Sequence, residues 1–245
     1  MIRAVLAVLL VWACPVWATT CEDIRYDDTS YTVCTVDLTT QTLDLFLRDD
    51  NGNIYGQFSA VDRALQAEGQ QLGFAMNAGM YHDDRAPVGY YVEDGTEQMR
   101  VVPNAGPGNF GLLPNGILCL REGRADVIET LRFLDNPPDC THATQSGPML
   151  VIEGALHPRF LVDSTSRYIR NGVGTSADGK TAIFAISNSA VTFHEFGTLF
   201  RDHLKMPNAL FLDGNISRLY APDINRRDIG FSLGPIIGTV EPAER

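Results

Sequence analysis

Residues 32–36 and 42–47 alternate apolar with small or polar positions, a period of two that belongs to half-buried strands. The run Asp49-Asp50-Asn51-Gly52-Asn53 that follows is dense in turn formers, so the chain is expected to open on a β-meander. From Ser59 to Gln70 the period lengthens. Val61, Leu65 and Glu68 fall three or four apart, Ser59 stands in a capping position and Gly69 can end a turn, which predicts a helix over 59–70. Residues 72–76 then read as a buried strand. Turn pairs at Asp94-Gly95, Pro114-Asn115-Gly116, Glu122-Gly123, Glu153-Gly154 and Asp178-Gly179 each sit between apolar runs and predict hairpins. A second helix is predicted over 192–204, with Phe193, Phe196, Leu199, Phe200 and His203 on one side. The pattern as a whole implies an α+β fold of one domain, mostly antiparallel β-sheet with a few packed helices. Phe74, Met76, Leu150, Ile152, Ile183, Phe184, Ile186, Leu210, Phe211 and Leu212 are its expected core.

The first eighteen residues fit none of this. Met1-Ile2-Arg3 is a short basic start, an apolar run of ten residues follows, and Val16-Trp17-Ala18 ends in small-residue cleavage chemistry. The apolar run is half of the ~20 residues that a bilayer-spanning helix needs. Residues 1–18 are therefore expected to be a signal peptide, leaving 19–245 as the folded chain. A lipoprotein signal cut before Cys14 is the rival reading, for which Trp12 and Pro15 are poor neighbours. Beyond the signal four cysteines remain, and their spacing favours Cys21 with Cys34 and Cys119 with Cys140. An even set of cysteines suits an oxidising compartment, periplasmic or secreted.

Composition narrows the partners. The formal charge is −11, with 30 acidic and 19 basic side chains. No nucleic acid partner is expected, because phosphate-backbone recognition needs clustered Lys/Arg, and no membrane span is signalled. No P-loop, dinucleotide fingerprint, Ser-centred elbow, H-E-x-x-H or C-x-x-C is present, so no cofactor and no metal are expected.

Candidate chemistry lies where polar residues interrupt buried strands, since a strand end holds its side chain rigidly beside an open loop. Four such places stand out: Asn77-Ala78-Gly79-Met80-Tyr81-His82, Gln145-Ser146-Gly147-Pro148, the segment 166–172 around Arg167, Arg170 and Asn171, and Leu212-Asp213-Gly214-Asn215-Ile216-Ser217-Arg218. Asp213 either opens an Asp-Gly turn or serves as a nucleophile or base. Arg167 and Arg170 suit a fork-shaped grip on phosphate, or surface ion pairs. Asn77 and Gln145 can offer donors and acceptors to sugar hydroxyls, or satisfy buried backbone. His82-Asp83-Asp84 is read as solvated, and Glu195 as favoured by a helix N-terminus.

In this order the segments resemble the phosphodiester glycosidase family. Its Asn-Gly-Gly-Phe motif is similar to Asn77-Ala78-Gly79-Met80, its Gln-x-Gly-Pro segment matches Gln145, Gly147 and Pro148, and its Arg-containing strand entry matches 167–174. Its Leu-Asp-Gly-Gly-Gly-Ser motif is similar to 212–217. Two glycines of that last motif are replaced by Asn215 and Ile216, and Ala78 and Met80 depart from the first. The resemblance implies a secreted hydrolase that cleaves the glycosidic bond of a sugar 1-phosphodiester, acting on a phosphorylated carbohydrate. It implies catalytic roles for Asp213, Arg167 and Arg170, and substrate contacts from Asn77, Gly79, Gln145, Gly147, Asn171, Gly214 and Ser217. A non-catalytic glycan or cell-wall binding domain of the same fold, and a metal-dependent phosphodiesterase, are the alternatives.

Overall fold

The computed structural model describes residues 19–213 and 216–243; the expected signal at 1–18 and the candidate Gly214 lie outside the described residues. Among the described residues seventeen strands form three sheets. The largest runs β1 (Thr20–Tyr26), β2 (Thr29–Asp37), β13 (Thr181–Ser187), β12 (Asn171–Thr175), β14 (Asn208–Phe211), β10 (Met149–Ile152) and β11 (Ala155–Leu156). The second runs β16 (Arg226–Arg227), β15 (Leu219–Ala221), β4 (Gln70–Asn77), β17 (Ile236–Pro242) and β3 (Leu43–Phe46). The third runs β6 (Thr96–Met99), β5 (Tyr91–Glu93), β9 (His142–Ser146), β7 (Gly116–Arg121) and β8 (Arg124–Glu129). Pairings among the described strands are antiparallel, for example β12 with β14 and β4 with β17. The fold is α+β with mostly antiparallel sheet.

One apolar core joins the three sheets. Phe74 and Met76 of β4, Leu118 and Leu120 of β7, and Val173, Phe184, Ile186 and Leu210 of the largest sheet are all buried within it. Phe74 and Phe184 meet across the sheets with ring centroids 4.9 Å apart, a contact worth about 0.5–1.5 kcal/mol beyond its buried area. Of the ten expected core residues, Ile152 and Ile183 are only half-buried: Ile152 packs at the edge of the central core and Ile183 on the outer face beneath α3. The outer face of each sheet carries one helix. Helix α1 (Phe58–Ala67) packs Phe58 and Val61 on the second sheet, α2 (Thr130–Asp135) packs Phe133 on the third, and α3 (Phe193–Thr198) packs Phe196 on the largest.

Local chemistry sets the helix ends. α3 starts with a capping box in which Thr192 and Glu195 satisfy each other's backbone amides, as Glu195 at a helix N-terminus suggests. It is α-helical only to Thr198. Residues Leu199–His203 continue as a wider π turn, so the predicted 192–204 helix is two conformations in series. α1 is shorter than predicted, since its chain must enter β4 at Gln70, and its N-cap is Gln57, not Ser59. No sequence pattern marks α2. Six residues are too few for a periodic signal, and its cap is a Glu129 carboxylate that accepts from the Arg132 amide.

The pairs at 94–95, 122–123, 153–154 and 178–179 turn hairpins between consecutive antiparallel strands. Pro114-Asn115-Gly116 does not. It enters β7 through a cis Leu113-Pro114 bond, and Asn115 is fully buried, with its amide donating to the Phe110 carbonyl. Cys21 bonds to Cys34, its direct cross-strand neighbour, and Cys119 bonds to Cys140. Each closes a short loop worth about 3 kcal/mol in the chain-entropy account.

Candidate active site

Antiparallel register brings four of the sequence's polar interruptions to one end of the fold. β12 begins at Asn171 where β14 ends at Phe211, because Gly172 pairs with Phe211; β10 begins beside them, with Phe211 donating its amide to the Pro148 carbonyl at 3.1 Å. β4 of the second sheet ends there at Asn77, and β9 of the third at Ser146, whose hydroxyl donates to the Leu212 carbonyl.

Two buried asparagines tie these ends together. The Asn77 side-chain oxygen accepts from the Asn171 amide at 2.8 Å and from the Arg218 backbone N–H at 2.9 Å. The Asn171 oxygen accepts from the Asp213 backbone N–H at 3.2 Å. Asn77 therefore fixes Asn171, and Asn171 fixes the backbone of Asp213. Both asparagines are fully buried, yet the Asn77 Nδ2 has no hydrogen-bond partner among the described residues. Ser217 closes the loop by donating to the carbonyls of Ile169 at 3.1 Å and Asp213 at 3.3 Å.

Tyr81 adjoins this knot. Burial pushes its phenol up to about 12, the Asp213 charge adds to the rise, and Arg85 and Arg218 oppose it. A phenol so placed stays protonated at neutral pH, and its buried hydroxyl lacks a well-formed hydrogen bond among the described residues. The Arg85 guanidinium stands 5.4 Å from the Tyr81 ring centroid. Arg218 is itself buried. Its guanidinium donates to the carbonyls of Phe231 (2.7 Å) and Asp228 (3.1 Å) and to the Gln57 side chain (2.7 Å), leaving Nε without a partner among the described residues.

The two arginines expected at the phosphate differ sharply. Arg167 is half exposed and donates to Glu195 at 2.5 Å, so its charge is already matched at the cap of α3. Arg170 is 1% exposed. Its guanidinium lies 3.6 Å from the Phe193 ring centroid and donates to the carbonyls of Val191 (2.9 Å) and Ser166 (3.1 Å), while Nη1 has no partner among the described residues. Burial pulls it down to about 10, which still leaves it charged at neutral pH. Continuing the β12–β14 register past Gly172 and Phe211 places Arg170 across from Asp213.

Gln145 is brought to the same end but is already engaged. Its oxygen accepts from the amides of Tyr90 and Val102, both at 3.0 Å, and its nitrogen donates to the Val102 carbonyl at 2.8 Å and to Thr130 at 3.2 Å. It clamps the 90–102 segment onto β9, which leaves no free amide for a sugar. Gly79 fills a close approach of chains: a Cβ there would come within 2.5 Å of the Gln145 carbonyl oxygen. Gly147 forms a cis bond to Pro148 against Asn115. His82, Asp83 and Asp84 are exposed, as a solvated loop should be. Among the described residues no group of three or more His, Cys, Asp or Glu is placed to hold a metal ion. Tyr81, Ser146 and Arg218 lie inside the segments singled out from sequence, but their roles depend on contacts across sheets that no local pattern records.

A sequence model described as phosphodiester glycosidase matches residues 70–234 of this chain, a span that includes every strand end just described. The chain belongs to the phosphodiester glycosidase family. It is 31% identical over 208 residues to the uncharacterized protein YigE of Escherichia coli (strain K12), covering 84% of this chain and 81% of YigE. Its fold is similar to that of the zebrafish N-acetylglucosamine-1-phosphodiester alpha-N-acetylglucosaminidase catalytic domain, auto-inhibited by its pro-peptide. That match has a TM-score of 0.61 and 13% identity, over 96% of this chain and 86% of the other. A Burkholderia pseudomallei K96243 protein named as exported is also similar, with a TM-score of 0.55 and 12% identity, over 86% of this chain and 74% of that one. Among phosphodiester glycosidases, then, this chain has the family's fold with its own residues at the Asn-Gly-Gly-Phe and Asp-Gly-Gly-Gly positions.

Proposed function

We propose that this protein is an extracytoplasmic hydrolase that breaks the glycosidic bond of a sugar 1-phosphodiester, with Asp213 acting at the sugar carbon. One observation carries the reading. Of seven buried side-chain polar atoms without a well-formed hydrogen bond among the described residues, four belong to this one end of the fold: Asn77 Nδ2, Tyr81 Oη, Arg170 Nη1 and Arg218 Nε. Buried polar groups are normally satisfied, so a local deficit of donors and acceptors marks where a ligand supplies them. The mixture suits a phosphosugar, with an amide and a phenol for hydroxyls and a guanidinium for phosphate. The two disulfides support an oxidising compartment.

The chemistry follows from the bond. A sugar 1-phosphodiester already carries a good leaving group, so the C1–O bond can break with the electron pair going to a phosphate monoester and little general-acid help. The protein must then stabilise positive charge at C1 and negative charge on phosphate. Asp213 supplies the first, as nucleophile or as base that takes a proton from the water attacking C1. Arg170, across from it, supplies the second. Asn77 and Asn171 orient the sugar, and Tyr81 donates a hydrogen bond without giving up its proton. Gln145, Gly79 and Gly147 hold the walls, Ser217 holds the backbone carbonyl of Asp213, and Arg167 anchors α3.

The test is release of free sugar from a panel of sugar 1-phosphodiesters, including UDP-N-acetylglucosamine, by purified protein with and without a chelator. Free sugar unaffected by the chelator is expected. No free sugar from any donor, by a folded and disulfide-bonded sample, would favour a glycan-binding domain. Turnover abolished by the chelator would favour a metal-dependent phosphodiesterase.

A further inference from the structure

Eight large apolar side chains stand exposed among the described residues. Two belong to α2; the other six are Leu161, Val162, Tyr168, Ile169, Ile229 and Phe231, confined to two loops. The most exposed, Ile229 at 92% and Phe231 at 82%, are separated by a single glycine. Both loops hang from the candidate site. Ser217 holds the Ile169 carbonyl, and the next residue, Arg218, holds the Phe231 carbonyl while donating its own backbone N–H to Asn77. Adjacent residues of one short segment therefore tie both apolar loops to the knot that includes Asp213. Exposed apolar side chains gathered at the mouth of a polar site mark an apolar ligand group continuous with the polar one.

We infer that this rim receives a hydrocarbon chain on the second ester of the phosphate, so that the substrate class is a sugar 1-phosphate joined to a lipid alcohol. The inference rests on the reading of the site as one for sugar 1-phosphodiesters. A phosphodiester has two substituents: the sugar meets the asparagines, and the other alcohol continues outward past the phosphate to the loops. Four of the six side chains, Leu161, Val162, Ile169 and Ile229, are aliphatic and lack both the flat face and the polar edge that hold a second sugar. A chain of methylenes needs neither.

The experiment compares methyl and decyl esters of one sugar 1-phosphate, used below the micellar concentration, on wild type and on an Ile229→Ser/Phe231→Ser variant. The decyl ester is expected to show a KM lower by at least about tenfold on the wild type, with that advantage lost in the variant and the methyl ester turned over equally by both. Equal KM for the two esters overturns the rim assignment while leaving the glycosidase reading intact. Should neither ester be hydrolysed, the glycosidase reading has failed and calorimetric titration of decyl against methyl phosphate still reads the rim: tighter decyl binding that the variant loses supports it, and equal or absent binding overturns it. Sedimentation of the wild type with phosphatidylglycerol vesicles in the absence of any phosphosugar would make the loops a membrane anchor and overturn the ligand assignment.

Discussion

Arg121 and Arg124, at the β7–β8 turn, converge on one carboxylate. Arg124 donates to Asp126 at 2.7 and 2.8 Å, and Arg121 reaches the same group. At the opposite end of the sheets Arg170 and Arg218 are more deeply buried, are held by backbone carbonyls and ring faces, and each keeps one nitrogen without a partner among the described residues. The first arrangement matches its charge with a carboxylate, although Arg121 Nε also has no partner among the described residues. The second is stable enough to fold but leaves hydrogen-bonding capacity unused, which is costly in a dry interior unless something else recovers it. The difference teaches where a ligand belongs: both ends carry arginines and even an unpartnered nitrogen, but only at the candidate site do the described hydrogen bonds of the buried guanidinium groups, Arg170 and Arg218, go to neutral groups and not to a carboxylate.

The largest expected effect comes from Asp213→Asn. It should lower kcat about 10³-fold or more while circular dichroism and Tm stay near wild type; full activity in the variant would remove Asp213 from the mechanism. Asn77→Ala breaks the knot in two ways. It strands the Arg218 backbone N–H and frees Asn171, so turnover should fall about 10²-fold and stability by about 1–3 kcal/mol in urea titration. Arg170→Met sharpens the comparison directly. A buried guanidinium whose described hydrogen bonds go to backbone carbonyls is replaced by a chain of similar length, so stability should hold or rise by about 1 kcal/mol while turnover of phosphodiesters drops. Arg124→Met, at the carboxylate-matched end and partly exposed, should cost less than about 1 kcal/mol and leave turnover unchanged. A loss of stability in Arg170→Met larger than in Arg124→Met would break the contrast.

The smallest effect is a pH dependence of opposite sign at two carboxylates. Burial pushes Asp126 up, but hydrogen bonds and charge from Arg124 and Arg121 outweigh it and hold its carboxyl below the ordinary 3.8. Its contribution is thus present above about pH 4 and is lost as pH falls through the folded value. Glu93 is the reverse. Burial is the main cause that raises it above the ordinary 4.5, with the Tyr91 hydroxyl donating at 2.9 Å as an opposing influence. It contributes below pH 4.5 and loses that contribution as pH rises. Denaturation across pH should show a shallower acid limb in Asp126→Asn and a small gain near neutral pH in Glu93→Gln.

Much of this fold is legible in the chain. Period-two runs and Asp-Gly or Glu-Gly turns mark the hairpins, because those signals are local and a strand's burial pattern is written along it. The cysteine pairings follow from short spacing. What stays hidden depends on distant partners. Helix α2 is one turn and a half and takes its cap from a glutamate. The switch from α-helix to π turn after Thr198 leaves the apolar spacing of 192–204 nearly unchanged. At the site, strand ends reveal which residues assemble, yet Gln145 and Asn77 look alike in sequence. Only the packing of β9 against the 90–102 segment uses up the first amide and leaves the second with a nitrogen to spare.

The central claim is that water attacks the sugar carbon and not phosphorus. Hydrolysis of a turned-over sugar 1-phosphodiester in ¹⁸O-labelled water reads this directly, by mass spectrometry of both products after a single turnover. The account predicts label in the C1 hydroxyl of the released sugar and unlabelled phosphate monoester. Label in the phosphate would mean P–O cleavage and would contradict it.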